Sequence, residues 1–398
     1  MSDVVYEKAL KWINNNDGFM NSALERRADE NGIYGLYAKE PIQANSILCR
    51  IPNKLIIFDT LHKSPDSWGR KLKLTYTILC EKKNREEYLE KKSRGEDVEE
   101  PFFSPALDLM TTIEEYRTFH PYFMDESEYN LLCNYSPIFK LIRSGQEESI
   151  KNSIKLINEY DTRFSDQEIT EVCMINNTRT WLGMYVPVMC MFNHSIRDGV
   201  INETNDTSST VRSKIEYQPG QQVYISYGNK DMLVLALEYG FYDKSDYNIV
   251  LPLILTYTGM LPLNFAVARI LSEKGMKLVI SDDSKRITAG IEDMSKLQRM
   301  KKLVCFSDEG ISADLFDFFQ TFAIETFDEL LQGKGKLKKS YELLEEHLNG
   351  MIGGDFQIDR SEPRSEAFEM LISCMTDRLQ ILKDCREWVR EQLQNLQE

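Results

Sequence analysis

Apolar residues near the start of the chain recur at helical spacing. Tyr6, Leu10 and Ile13 share a face, which predicts a helix over residues 4–25 containing the polar run Asn-Asn-Asn-Asp-Gly. The period then drops to two. Residues 32–58 predict two short strands with a turn over 41–45. From 64 to 185 helical spacing prevails, and dense charge over 81–100 marks an exposed helix with a loop at Gly95. The apolar run over 187–192 then stops abruptly on Asn193-His194-Ser195. Buried apolar segments seldom end on three hydrogen-bonding side chains unless something polar is held there. A polar loop over 196–213 follows. Residues 223–227 then alternate as a strand closed by Gly228, which sets Tyr224 and Tyr227 where a hydroxyl can reach a ligand.

Residues 248–268 carry no charged side chain, a length that could span a bilayer. Pro252, Gly259, Pro262 and Asn264 interrupt it. We expect a buried strand, a turn near Gly259 and a helix starting at Pro262, with no membrane span. Beyond 262 the pattern predicts helices over 265–275, 287–306, 312–331, 341–351 and 362–396. The last is the most regular: Phe368, Leu371, Ile372, Met375, Leu379, Leu382, Val389, Leu393 and Leu396 fall close to one face.

Composition narrows the function classes. The 398 residues can hold two domains, and an apolar content of 42% supports a sizeable core. A net charge of −15 disfavours a nucleic-acid binder and favours a basic protein partner, with plain solubility as the alternative role of the acidity. The 8 cysteines include no C-x-x-C pair, which argues against zinc and against a disulfide framework. Residues 1–8 show no secretory pattern. The expected location is the cytoplasm, with the nucleus as a second possibility, and no oligomeric state can be read.

Arg179 sits among apolar neighbours in a predicted helix over 170–185. A buried guanidinium needs an anion, either a nearby carboxylate such as Glu171 or the carboxylate of a ligand gripped by two hydrogen bonds. The order and spacing of Asn193-His194, Tyr224-Ile225-Ser226-Tyr227-Gly228 and Tyr239-Gly240-Phe241, with Gly32-Ile33-Tyr34-Gly35-Leu36 upstream, resemble the SET-domain protein methyltransferases. The branch is the one like Rubisco large-subunit lysine methyltransferase.

That resemblance implies an α+β fold: a SET-domain β-fold of short strands over 1–260, with an inserted helical subdomain over about 64–170. An all-helical C-terminal domain over 261–398, able to bind substrate, would follow. It implies S-adenosyl-L-methionine as cofactor, a protein substrate and no metal. Tyr227 would be catalytic. Arg179 would grip the cofactor's carboxylate, and Asn193 its ammonium end. The His194 backbone would meet the adenine edge, and Gly32, Ile33 and Tyr34 would offer backbone groups. Tyr239 would stack on the adenine side. Cys190, Tyr224 and Phe241 would wall the lysine channel. Two departures stand out: Cys190 replaces the family's usual acidic residue, and Lys230-Asp231-Met232-Leu233-Val234 replaces its Ser-Asn-Ala-Glu run. Protein-lysine methylation of a non-histone target leads. The candidate targets implied by the family are a ribosomal protein, a translation factor or cytochrome c. Histidine methylation, or a silent SET protein that only binds partners, are the alternatives.

Overall fold

The computed structural model describes residues 3–30, 32–135, 137–181, 183–195, 200, 202–228, 230–245, 247–250, 254–258, 277–280, 286–290, 304–307, 310–311, 313–324, 326–332, 335–352 and 364–396. The chain forms two units. One comprises Met1–Phe123 with Arg143–Tyr227, and the other Met124–Ile142 with Gly228–Glu398. The expected boundary is 260; the division into compact units falls after Tyr227 and groups Met124–Ile142, a stretch of the expected helical insertion, with the C-terminal part. The reason is packing. Leu132, Phe139 and Ile142 share a buried cluster with Met232, Leu237, Phe368 and Leu371.

In the first unit the opening helix is Asp3–Asn15, shorter than the spacing suggested. Asp17 takes a positive φ of 63°, and a Cβ on Gly18 would meet the Ile13 side chain at 2.4 Å, so the chain must turn there. Ten strands follow: β1 (Phe19–Met20), β2 (Leu24–Ala28), β3 (Tyr34–Ala38), β4 (Ile47–Pro52), β5 (Ile57–Phe58), β6 (Met184–Tyr185), β7 (Asn193–His194), β8 (Asn202–Thr204), β9 (Ser208–Arg212) and β10 (Gln222–Ile225). They form small sheets of order β1-β4-β9-β8, β2-β3-β10-β7 and β5-β6. The alternating strand predicted over 223–227 therefore ends at Ile225, and Tyr227 lies just past it.

The helices between β5 and β6 include Arg70–Ser93 and Asp166–Arg179. The second is started by a capping box. Ser165 Oγ accepts from the Glu168 backbone N–H, and the Glu168 carboxylate accepts from the Ser165 N–H, so two otherwise orphaned donors are satisfied. Asn176 locks it onto the first helix, donating to the Lys71 carbonyl at 2.7 Å and to Thr75 Oγ1 at 2.9 Å. His120 is buried against Tyr116 and accepts from the Tyr122 backbone through Nδ1, which makes it a packing residue.

In the second unit the helix Met232–Tyr239 is capped by Asp231 and ended by Gly240 at a φ of 76°. The expectation of helix alone beyond 262 is corrected. Strands β11 (Asn248–Val250), β12 (Ile254–Thr258), β13 (Lys277–Ile280), β14 (Arg286–Gly290), β15 (Val304–Ser307) and β16 (Gly310–Ile311) make two three-stranded sheets, β12-β14-β13 and β11-β15-β16. The helix predicted over 287–306 is thus replaced at both ends by strand, while the one predicted over 265–275 lies outside the described residues. From Ala313 onward the described elements are helical: Ala313–Phe322, Phe327–Gln332, Leu337–Ile352 and Glu366–Asn395. The α+β class stands. Among the described residues no helix is long and apolar enough to cross a membrane.

Candidate active site

The centre of the first unit is the parallel pairing of β7 with β10, which registers Tyr224 with Asn193 and Ile225 with His194. Two short motifs distant in sequence are thereby fixed side by side. Upstream, Val188 is fully buried with a φ of 66°. For a β-branched residue that backbone is strained by on the order of 1–3 kcal/mol, and it persists only where the surroundings enforce it. From there a single 3-10 turn, Met189–Met191, leads the chain into Phe192 and β7.

Contacts to Phe192 and His194 hold Tyr227. Its hydroxyl donates to the Phe192 carbonyl at 2.8 Å, and its backbone N–H donates to His194 Nδ1 at 2.9 Å. The two rings stack with centroids 5.0 Å apart. The His194 side chain thus acts as a brace for Tyr227, and the accepting Nδ1 fixes its tautomer. Asn193 Nδ2 donates to the Tyr34 carbonyl at 3.1 Å, which makes Oδ1 the acceptor end of its amide.

Arg179, the last residue of its helix, is half-buried. Its Nη1 donates to the Cys190 carbonyl at 2.7 Å. Among the described residues it makes no ion pair, and Glu171 is committed to Lys82 and to the Ile113 backbone N–H. Desolvation works against its charge. The fields of Tyr116, Tyr227, Cys190 and Tyr185 outweigh that loss and raise its pKa, so it stays cationic. Burial pushes the Tyr185 hydroxyl far up, with the field of Cys190 next, and burial likewise raises the Cys190 thiol although Arg179 opposes the rise. Burial thus favours the protonated Tyr185 hydroxyl and Cys190 thiol beside the guanidinium. A half-buried guanidinium with no ion pair among the described residues can hold an anion.

The remaining expected residues sort as follows. Gly32 has a φ of 80° in a turn closed by its N–H to the Asp29 carbonyl at 3.1 Å. The Ile33 N–H donates to the Asp29 carboxylate at 2.8 Å, and the Ile33 carbonyl accepts from the Asp29 N–H. Most backbone groups of this loop are therefore spent internally, although Ile33 and Tyr34 are both exposed. The Cys190 thiol lies 3.5 Å from the Tyr185 hydroxyl. Tyr224 donates to Gln222 Oε1 at 2.9 Å. Tyr239 and Phe241 belong to the second unit, where their rings meet edge-on at 6.2 Å. There Lys230, almost buried, pairs with Glu238 at 3.0 Å and lies 5.2 Å over the Tyr239 ring. Burial disfavours its charge, but Tyr239 and Glu238 raise its pKa overall. Sequence reading passed over Tyr116, Tyr185 and Gln222 as site residues. The signal was there for Gln222, a polar residue one step ahead of an alternating strand whose inward positions are Val223 and Ile225.

A family model for the SET domain matches residues 33–228. No curated protein matches the chain. Among solved structures the chain is similar to the SET domain of LSMT bound to methyllysine and AdoHcy. That match has a TM-score of 0.60 and 15% identity, over 98% of this chain and 93% of the other. It is also similar to the LSMT SET domain bound to lysine and AdoHcy, with a TM-score of 0.58 and 14% identity over 98% and 91%. Rubisco LSMT bound to AdoMet gives a TM-score of 0.57 and 14% identity over 98% and 93%.

Proposed function

The chain is a SET-domain protein with the fold of the Rubisco large-subunit methyltransferase structures, and on that premise we propose that it is an S-adenosylmethionine-dependent protein-lysine N-methyltransferase. The observation that carries this reading is Arg179, without an ion pair among the described residues and bonded to the Cys190 carbonyl shortly ahead of β7, together with Asn193 on the β7–β10 pairing and Tyr227 braced just past its end. The LSMT structures are described as holding lysine, methyllysine and AdoHcy, which supports an amine acceptor for this chain.

The residues present suit the cofactor. Arg179 would grip its carboxylate, and Asn193 Oδ1 would accept from its ammonium. The bound sulfonium supplies an electrophilic methyl and a neutral leaving group. Displacement at such a carbon needs no metal and no covalent intermediate, so the protein's contribution is alignment. Tyr227 donates its hydroxyl hydrogen bond to the Phe192 carbonyl, so towards an amine N–H its oxygen can act only as an acceptor. Cys190 brings no carboxylate to the channel, so orientation of the amine falls on Tyr227. The acceptor would be a lysine of a basic, non-histone protein, in keeping with the net charge of −15. A ribosomal protein, a translation factor or cytochrome c are the family-implied targets, and the cytoplasm is the proposed location.

The test is transfer of labelled methyl from S-adenosylmethionine into a cell extract, with the modified residue identified by mass spectrometry. A labelled lysine that vanishes with Tyr227→Phe supports the reading. A labelled histidine would convert it to the imidazole-modifying alternative, and no label with bound cofactor would leave a binding protein.

A further inference from the structure

One face of the β2-β3-β10-β7 sheet carries an arrangement that the roles above do not use. Gln222 pairs in register with Tyr37 across β3 and β10, and Tyr224 stands two residues along the same strand face. Both phenols donate to a single atom, Gln222 Oε1, from Tyr37 at 3.2 Å and from Tyr224 at 2.9 Å. With the oxygen held from two sides, the amide is locked and its Nε2 points the other way. That nitrogen donates to no protein acceptor among the described residues. It lies over Gly35, where a Cβ would come within 2.2 Å of it and within 2.8 Å of Asn193 Nδ2. Two amide nitrogens therefore sit together in the space that a side chain at Gly35 would fill, which is why that position carries none.

We propose that Gln222 is a positioning residue of the cofactor site: clamped by Tyr37 and Tyr224, its Nε2 donates beside Asn193 to an acceptor oxygen of the bound nucleoside cofactor. The inference rests on the methyltransferase reading. The acceptor oxygen has two sources in such a molecule, the amino-acid carboxylate and the ribose hydroxyls. Donors aimed before the ligand arrives cost no reorganisation on binding, which is the use of a clamp built from two phenols.

The experiment is calorimetric titration of the full chain and its variants with S-adenosylhomocysteine and with 5′-methylthioadenosine, which keeps the ribose and lacks the carboxylate. Gln222→Glu retains an acceptor for both tyrosine hydroxyls, removes the donor and adds a negative charge. We expect S-adenosylhomocysteine to bind about tenfold more weakly or worse, with an unchanged melting temperature of the free protein. A loss confined to S-adenosylhomocysteine assigns the carboxylate, and an equal loss for both ligands assigns the ribose. Tyr37→Phe with Tyr224→Phe frees the amide, and should lose a smaller, several-fold part of the affinity, partly restored when only one phenol is removed. Equal binding by wild type and Gln222→Glu would overturn the proposal. It would mean that the amide is turned the other way, with Nε2 spent on the phenols and its oxygen facing Asn193. Failure of the wild type to bind either ligand would instead overturn the methyltransferase reading, and this inference with it.

Discussion

At the residue scale the account turns on Tyr227 and its supports. Tyr227→Phe removes one hydroxyl and the bond to the Phe192 carbonyl while leaving the stack on His194. The expected result is near-normal cofactor affinity with kcat lowered on the order of 10²-fold, by analogy with other preoriented polar groups at reacting centres. Single-turnover methylation separates the two quantities, and an unchanged kcat would remove Tyr227 from the chemistry. Much of this site was legible. Asn193-His194 and the Tyr-x-x-Tyr-Gly run stood out because polar groups interrupt apolar patterns there. The partner of Arg179 was not legible, because Glu171 and a ligand carboxylate satisfy the same local rule. Only the tertiary pairing of Glu171 with Lys82 separates them. Likewise the bracing of Tyr227 by an imidazole depends on the parallel register of β7 and β10, which is a non-local fact.

At the element scale the helix Met232–Tyr239 is tied to the helix Glu366–Asn395 by a buried ion pair. Asp231 and Arg378 lie 3.3 Å apart, and Asp231 also caps the shorter helix. Breaking such a pair from one side strands a buried charge, so Arg378→Ala should destabilise the second unit by about 3 kcal/mol, read from urea unfolding. A change below about 1 kcal/mol would mean that the pair is solvated. The helix Leu337–Ile352 carries His347, half-buried against Phe319, whose pKa burial lowers below 6.5. The unfolded chain then binds more protons than the folded one just below that value. Stability should therefore fall as the pH drops from about 6.5, and His347→Leu should flatten that slope. Sequence periodicity caught these helices because one stripe of each is covered. It misread β14 and β15 as the ends of one helix, because the helix-forming residues over 291–303 lie between them. Antiparallel pairing of β14 with both β12 and β13 outweighs that local preference.

At the scale of the whole molecule, the division of the chain changes what a truncation would do. Cutting at residue 262 would keep Leu132, Phe139, Ile142 and Met232–Tyr239 while deleting Phe319, Leu344, Phe368 and Leu371, their partners in one apolar cluster. Such a fragment should be insoluble or bind an exposed-hydrophobe dye, checked by sedimentation of the expressed fragment. A soluble, monomeric fragment would show that this cluster is dispensable. The most direct measurement of the central claim is calorimetric titration of the wild-type chain and of Arg179→Ala with S-adenosylhomocysteine. The account predicts saturable one-site binding by the wild type and a loss on the order of 10²-fold in the variant, the weight of one charge-assisted grip on a carboxylate. Equal affinity in the two proteins would contradict it.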